Sequence, residues 1–313
     1  MKNTLISFII PVYNEEGNLP PLYERLIKTM DDFGKSYEVI FTNDGSSDNS
    51  INILKDFFKQ RPKIIRVIDF NGNFGQHMAV LAGFKESKGE IIVTLDADLQ
   101  NPPEEIPKLI AKMEEGFDLV SGVRQMRQDN FFRRYVSKLV NKVRDKITRI
   151  DMTDHGCMLR AYGRRVIDMM VETGESSMFI PALAYTYASN PTEIPVAHDE
   201  RASGTSKYSL YKLARLNFDL MTGYSLVPLQ IFTVGGLGIS FLSILFVIYL
   251  FIRRLIVGPE AQGVFTLFAI LFFLIGILLM GLGIMGEYVG RIYQEVRNRP
   301  RYAIKKIYMQ EDN

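Results

Sequence analysis

Apolar and polar residues alternate along residues 1–200 in blocks that predict a regular succession of strands and helices. Short apolar runs bounded by turn-forming residues predict five strands: Ile6–Val12, Tyr37–Thr42, Ile64–Ile68, Glu90–Leu95 and Asp118–Val123. Segments with apolar residues at helical spacing predict four helices: Leu19–Phe33, Ser47–Gln60, Gln76–Ser87 and Glu104–Glu115. Strands and helices that alternate in this way are typical of an α/β fold with a mostly parallel sheet.

Two long apolar segments follow this α/β region. Residues 229–252 and 263–286 contain no charged side chain, and each is long enough as a helix (~36 Å) to cross a hydrocarbon core of ~30 Å. We expect a hairpin of two transmembrane helices at 229–286; a pair of buried core helices is the alternative. Lysine and arginine are more numerous on both flanks than in the connection, which predicts that both flanks are cytoplasmic.

Two further segments are basic and amphipathic. Over residues 131–150 apolar side chains recur at helical spacing, arginines and lysines fill the other positions, and Asp145 is the only acid. This composition predicts an interfacial helix on an anionic membrane surface, with an ordinary solvated helix as the alternative. Residues 207–228 have a similar character and lead into the first apolar segment as a juxtamembrane element.

The overall composition narrows the classes of function. The formal net charge of the 313 residues is only +2, so nothing suggests a nucleic-acid binder. The single cysteine, Cys157, cannot form an internal disulfide and fits a reducing compartment.

Acidic side chains follow two of the predicted strands. Asp96-Ala97-Asp98 comes directly after one strand, and Asp44 lies at the end of another. Because the carboxyl ends of parallel strands meet at one edge of a sheet, we expect the three acids to lie together where such sheets bind ligands. Neighbouring carboxylates repel each other unless a cation lies between them, and these oxygens suit Mg²⁺ or Mn²⁺ holding a diphosphate. An acidic turn without a ligand is the alternative.

Three motifs occur in order along this region: PVYNEE at 11–16, NDGSSD at 43–48 and DADLQNPP at 96–103. Together they resemble the family 2 glycosyltransferases, and the resemblance implies a GT-A (Rossmann-like) catalytic domain over residues 1–206. It also implies a UDP-sugar donor whose nucleotide is contacted by Pro11, Tyr13, Glu15, Asp44 and Asp96. The same resemblance implies that Asp96, Asp98 and Gln100 hold the Mg²⁺ or Mn²⁺ ion, with Asp98 as a catalytic residue.

A basic loop that begins at Arg201 and ends at Lys207 precedes the juxtamembrane segment. Its cationic and hydroxyl side chains suit a phosphate group, with a basic turn at the membrane edge as the alternative. The polyprenyl-phosphate sugar transferases of the family close a similar loop over the site. Resemblance to them implies that Arg124, Arg133 and Ser137 also contact the lipid phosphate.

A lipid phosphate acceptor has a consequence for the mechanism. Its second pKa is near 6, so at neutral pH the nucleophile is already an oxyanion and a strong base is less necessary. Asp154 is a candidate catalytic residue that orients or assists the attack; a structural turn under the site is the alternative. Attack on the face opposite the leaving group predicts inversion at the anomeric carbon.

Three further segments, at 73–77, 156–162 and 286–293, resemble the subgroup that transfers 4-deoxy-4-formamido-L-arabinose to undecaprenyl phosphate for lipid A modification. The resemblance implies an enzyme of the bacterial inner membrane with a cytoplasmic catalytic domain. Gln76 and His77 are candidate residues near the sugar, with a capping or surface histidine as the alternative. Bactoprenol glucosyltransferases and dolichyl-phosphate mannose synthases are the enzyme alternatives, and a non-catalytic membrane scaffold is the alternative from another class.

The cytoplasmic tail at 287–313 contains a segment with strand character after Pro300. An unpaired terminal strand commonly pairs with the sheet edge of a neighbouring molecule. We therefore expect a homo-oligomer, such as a tetramer, in which this strand takes part.

Overall fold

The computed structural model describes residues 4–124, 152–154, 156–173, 179–198, 227–258, 263–296 and 300–310. The chain divides into two compact units. The first contains Met1–Val136, Ile150–Lys207 and Arg299–Asn313, and the second contains Ser137–Arg149 and Tyr208–Asn298. The predicted interfacial helix at 131–150 lies outside the described residues, as does the juxtamembrane segment up to residue 226.

A mixed sheet forms the centre of the first unit. Its described strands are β1 Ile6–Val12, β2 Tyr37–Asn43, β3 Ile65–Phe70, β4 Ile91–Thr94, β5 Leu119–Arg124, β6 Arg160–Gly163, β7 Pro191–Val196 and β8 Ile304–Tyr308. The order across the sheet is β7-β5-β6-β4-β1-β2-β3-β8. Strands β4, β1, β2 and β3 are mutually parallel, as predicted, whereas β6 and β8 are antiparallel to their neighbours.

Helices cover the sheet. They are α1 Leu19–Phe33, α2 Ser50–Gln60, α3 Gln76–Glu86, a 3-10 turn Pro103–Glu105, α4 Ile106–Glu114, α5 Arg164–Glu172 and α6 Ile180–Tyr187. Helix α1 has the predicted bounds because its apolar stripe faces the sheet, with Leu22, Leu26 and Met30 fully buried. Gly34, in the left-handed region at φ 72°, ends this helix.

The central strands are buried along almost their whole length. Phe8, Ile10, Val39 and Phe41 are fully inaccessible to solvent and belong to the same apolar core. Continuous apolar runs of this kind are expected of parallel strands that helices cover on both faces. Because β1, β2 and β4 run in the same direction, the loops that follow them open at the same edge of the sheet.

The tail forms a strand after Pro300, as the sequence predicted. Strand β8 pairs antiparallel with β3 of the same chain, with Ile68 opposite Ile307 and Val67 opposite Tyr308. The edge of β3 thus carries a tail strand in the sheet of this chain. The homo-oligomer, and the part that this strand takes in it, stay predictions.

The second unit contains two long helices, α7 Val227–Val257 and α8 Val264–Val296. Among the described residues, one segment, Ile270–Gly290, has the length and hydropathy of a membrane span, with a mean hydropathy of 2.3. Only 6% of this segment is buried within the molecule, so it is not the core helix considered as the alternative. Leu229–Ile239 is a shorter apolar stretch of α7. Gly281 of α8 contacts the ring of Phe232 of α7, where a larger residue would not fit.

Candidate active site

The loops after β1 and β2 hold each other in place at the carboxyl edge of the sheet. The amide of Asn14 donates to Ser46 Oγ (3.0 Å), and the amide of Ser47 donates to Asn14 Oδ1 (2.8 Å). Asn14 itself adopts a positive φ of 56°, which asparagine tolerates better than most residues. Ser46 and Ser47 are thereby held in the loop between the strands, and helix α2 begins at Ser50 rather than at the predicted Ser47.

Three residues predicted to contact the nucleotide lie at this edge. Pro11 is near the end of β1, Tyr13 follows the strand with 49% of its surface exposed, and Glu15 is half-buried. The carboxylate of Glu15 accepts a hydrogen bond from Asn18 Nδ2 at 2.6 Å. The exposed ring of Tyr13 is thus the aromatic surface that this loop offers to a base.

Asp44 is buried beneath the loop at 71–75. Its two carboxylate oxygens accept hydrogen bonds from the amides of Phe74 (2.7 Å) and Gly75 (2.9 Å). Burial raises the pKa of Asp44, and the two amide bonds act in the opposite direction. Gly45, at φ 67°, packs so closely on the 71–75 loop that an added Cβ would lie 2.7 Å from the carbonyl oxygen of Gly72. Asp44 therefore holds this loop in place. A contact between Asp44 and a nucleotide would come in addition to its two hydrogen bonds with the loop.

The acid pair lies on a strained turn after β4. Leu99 has a φ of 63°, a conformation that costs a leucine about 1–2 kcal/mol. Its side chain packs against the apolar core, which fixes the turn despite this cost. The turn closes with the amide of Gln100 donating to Asp98 Oδ1 (3.1 Å). Strain of this kind is concentrated at functional sites.

Helix α3 adds the two residues predicted to lie near the sugar. Gln76 Nε2 donates to Asp96 Oδ1 at 2.6 Å, so Gln76 does reach the acid pair. The ring of His77 packs edge-on against Phe179 at 5.3 Å, and its buried Nδ1 has no partner among the described residues. Burial lowers the pKa of His77 to about 4. His77 is therefore neutral at physiological pH and is neither a capping nor a freely exposed histidine.

The chemistry of the acid turn fits a divalent cation that is shared with a substrate. No group of three or more histidine, cysteine, aspartate or glutamate side chains in the described part of the chain forms a closed metal cage. Mg²⁺ is usually held by one or two carboxylates together with substrate phosphates and water. Asp96, Asp98 and the amide oxygen of Gln100 are hard oxygen donors on one turn, so they match that type of site.

Arg124 and Asp154, predicted for the acceptor and for catalysis, form one ion pair in which Asp154 is buried and Arg124 is partly buried. Arg124 Nε lies 2.7 Å from Asp154 Oδ2, and Arg124 Nη2 lies 2.8 Å from Oδ1. The amide of Gly156 donates a further bond to Oδ1 at 3.0 Å. Burial alone would raise the pKa of Asp154, but Arg124 and these hydrogen bonds outweigh it and hold the pKa below its usual value. Asp154 is thus an ionised partner of Arg124.

Two residues that sequence reasoning missed complete this side of the site. Arg160 is fully buried and donates to Ser121 Oγ and to the carbonyl oxygen of Asp154, each at 2.8 Å. His198 follows β7, interacts electrostatically with Arg124, Asp98 and Asp154, and has a buried Nδ1 without a partner among the described residues. Burial and then Arg124 lower the pKa of His198.

The only sequence signal for Arg160 was its place in the 156–162 segment that resembles the subgroup, because β6 was not predicted as a strand. His198 had no signal of its own, because β7 was not predicted. The remaining residues predicted for the acceptor lie outside the described residues; they are Arg133, Ser137, Arg201 and Lys207.

Comparison with known proteins shows that the chain is similar to glycosyltransferases over most of its length. The model of the family described as Glycosyl transferase family 2 matches residues 7–171. A protein of Shewanella sediminis (strain HAW-EB3), named undecaprenyl-phosphate 4-deoxy-4-formamido-L-arabinose transferase, is 49% identical over 308 residues, which cover 98% of this chain and 93% of the relative. The protein of the same name from Proteus mirabilis (strain HI4320) is 49% identical over 304 residues, covering 96% and 93%.

A solved structure described as a mycobacterial protein is similar in fold to this chain. It matches with a TM-score of 0.50 at 16% identity and covers 70% of this chain and 73% of that one. The family model and the near-full-length relatives indicate a glycosyltransferase, which is consistent with the shared fold and with the acidic edge of the sheet described above. This chain belongs to glycosyl transferase family 2 and is a glycosyltransferase with the GT-A fold.

Proposed function

We propose that the protein transfers 4-deoxy-4-formamido-L-arabinose from its UDP-linked form to undecaprenyl phosphate, with inversion at the anomeric carbon. Two relatives that are 49% identical to this chain over nearly their whole length are named for this activity. The observation that carries the proposal is the edge of the sheet, where an acid turn suited to a diphosphate lies in the same unit as a partly exposed arginine, Arg124, suited to a phosphate.

The donor half of the site consists of the loops after β1, β2 and β4. Tyr13 and Glu15 border the nucleotide, and Asp44 sets the loop that covers it. Asp98 and Gln100, with Asp96, would hold Mg²⁺ or Mn²⁺ on the diphosphate. When bound, the ion supplies positive charge that stabilises the departing UDP.

The acceptor half depends on Arg124. Its bonds to Asp154 use Nε and Nη2, and a guanidinium has five N–H donors, so some are left for a phosphate. A lipid phosphate is largely a dianion at neutral pH because its second pKa is near 6. The attacking oxygen then carries its own negative charge. Asp154 orients Arg124 and does not need to accept a proton.

The apolar segments fit an enzyme whose acceptor is a membrane lipid. The candidate span Ile270–Gly290 and the apolar helix α7 support a two-helix hairpin. The basic flanks favour a catalytic unit on the cytoplasmic face of the bacterial inner membrane. We infer a role in modifying lipid A or the cell envelope, as the resemblance to the formamido-arabinose transferase subgroup implies.

The test is a transfer assay on the full chain in detergent or nanodiscs. Undecaprenyl phosphate is incubated with Mg²⁺ and, in separate reactions, UDP-4-deoxy-4-formamido-L-arabinose, UDP-glucose and UDP-xylose, and the lipid product is identified by mass spectrometry. We expect a product with the formamido sugar, and none from Asp98→Asn. Preference for UDP-glucose would identify a bactoprenol glucosyltransferase instead. Absence of both transfer and UDP binding would favour a non-catalytic scaffold.

A further inference from the structure

The C-terminal tail contacts the segment that leads into the donor loop. The carbonyl oxygen of Ala303 accepts a hydrogen bond from the amide of Asn71 at 3.0 Å. The ring of Tyr302 stacks on the ring of Phe70, with 4.9 Å between centroids and 12° between planes. These contacts lie at the end of β3, where the pairing with β8 shifts register between Asp69 and Phe70.

A second ring contact extends from the tail into the loop at 71–75. Phe70 meets Phe74 edge-on, with 5.7 Å between centroids and 86° between planes. The amide of Phe74, together with that of Gly75, donates to the carboxylate of Asp44. Two ring contacts therefore separate Tyr302 from a residue of the donor half.

The 71–75 loop also determines the surroundings of the acid pair. It packs on Gly45 on one side, and on the other it leads directly into Gln76, which donates to Asp96. Movement of this loop would disturb the partners of Asp44 and Asp96 together. Its position consequently matters for any ligand bound at the carboxyl edge of the sheet.

We propose that Tyr302 is a positioning residue for the nucleotide-sugar donor, acting through Phe70 and Phe74 on Asp44. The inference rests on the proposed function, because it takes UDP as the ligand of the donor half. Tyr302 does not touch the donor. It holds the 71–75 loop in the arrangement that the donor requires. Because the loop is already ordered before the donor arrives, donor binding does not have to supply the free energy of ordering it.

The chain offers a matched control in the same C-terminal tail. Tyr308 also makes aromatic contacts, with Phe58 at 6.5 Å and beneath Lys55 Nζ at 5.5 Å. Tyr308 pairs with Val67, away from the end of β3 that leads into the donor loop. Tyr302→Ala removes a ring stack and a contact with Lys85, and Tyr308→Ala removes a ring contact and contacts with two lysines, but only the Tyr302 ring stack leads to Asp44.

The binding experiment uses the full chain in detergent, titrated with UDP in the presence of Mg²⁺. We expect Tyr302→Ala to weaken UDP binding by about three- to tenfold, the equilibrium equivalent of one aromatic contact. The KM for the UDP-sugar should rise similarly, while the KM for undecaprenyl phosphate stays within twofold. Tyr302→Phe should restore wild-type values because it keeps the stacked ring, and Tyr308→Ala should change UDP binding by less than twofold.

Hydrogen exchange supplies a readout that does not need activity. Amides in a peptide spanning 71–76 should exchange faster in Tyr302→Ala than in Tyr308→Ala. If Tyr302→Ala proves unstable, Tyr302→Leu keeps apolar volume without the ring and replaces it in both measurements. Equal effects of the Tyr302 and Tyr308 variants, or no effect of either, would overturn the inference. A wild-type protein that binds no UDP would overturn the proposed function, and the exchange comparison would still decide the coupling to the loop.

Discussion

Replacing Asp154 with asparagine distinguishes two roles for this carboxylate, a general base and a partner that orients Arg124. The substitution keeps the size of the side chain and removes its charge. Arg124 is then left without its counter-charge in a site where 20% of its side chain is exposed. Breaking a buried ion pair from one side costs about 3–5 kcal/mol, and the partial exposure of Arg124 places the expected loss of folding stability near the lower value.

The kinetic effect depends on the role. A general base that is removed lowers kcat by about 10²–10⁴-fold. An orienting partner acts only through Arg124, so its loss should mainly raise the KM for undecaprenyl phosphate. In a double-mutant cycle, Arg124→Gln combined with Asp154→Asn should then be no slower than Arg124→Gln alone. Multiplicative losses in kcat would contradict the orienting role.

The control variant is Asp118→Asn. Asp118 also accepts bonds from an arginine, Arg165, and from two backbone amides, but it lies at the opposite end of β5 from Arg124. We expect this variant to lower stability slightly because Arg165 is well exposed. Its kcat and both KM values should remain at wild-type levels.

The pH dependence supplies a second criterion. The folded pKa of Asp154 lies below its usual value of 3.8. The stability that the pair contributes is therefore complete above about pH 4 and is lost as the pH falls through the folded pKa. Between pH 5 and 8 the rate should follow only the acceptor phosphate, whose second pKa is near 6. An acidic limb that is present in the wild type and absent from Asp154→Asn would refute the orienting role.

Three further predictions concern the donor half. Asp98→Asn should reduce transfer by at least about 10²-fold and abolish the Mg²⁺ dependence of UDP binding, measured by calorimetry. Gly45→Ala should cost about 2–4 kcal/mol of stability in thermal unfolding and weaken UDP binding, because its positive φ and the adjacent backbone of Gly72 leave no room for a Cβ. For His77 the folded pKa of about 4 lies below the usual 6.5, so stability should be lost as the pH falls from 6.5 towards 4. In His77→Gln the stability lost over this pH range should be smaller by about 1–2 kcal/mol, which is less than the full pKa shift would give because the ring is partly exposed. Stability measured against pH that is identical in His77→Gln and the wild type would contradict a neutral, largely buried His77.

The parallel half of the sheet could be predicted because its signals are local. Strand β1 and helix α1 were correct to the residue, since each has an uninterrupted apolar pattern and a clear stop. The short strand β6 was not predicted because its four residues include a buried arginine and contribute little apolar pattern. Strand β7 contains two prolines in six residues, which argues against a strand in any local reading.

The same distinction applies to the candidate site. The positions of Asp44 and Asp96 at the edge of the sheet followed from the ends of two predicted parallel strands. Their partners did not, because the bonds from Gly75 and Gln76 require the 71–75 loop to fold back across the sheet edge. The pairing of Arg124 with residue 154 also depends on tertiary contacts, which no spacing along the chain encodes.

Arg160 links the parts of the sheet that carry the two halves of the site. In the sheet it lies opposite Thr94 at the end of β4 and opposite Ser121 of β5. Its guanidinium also binds Ser121 Oγ and the carbonyl oxygen of Asp154. Thr94 leads into the acid turn, and β5 ends at Arg124, so this buried side chain connects the strands that carry the two halves of the proposed site. Under the proposed function, an in-line displacement needs the donor diphosphate and the acceptor phosphate at a fixed separation, and we expect the antiparallel strand between β4 and β5 to help maintain it.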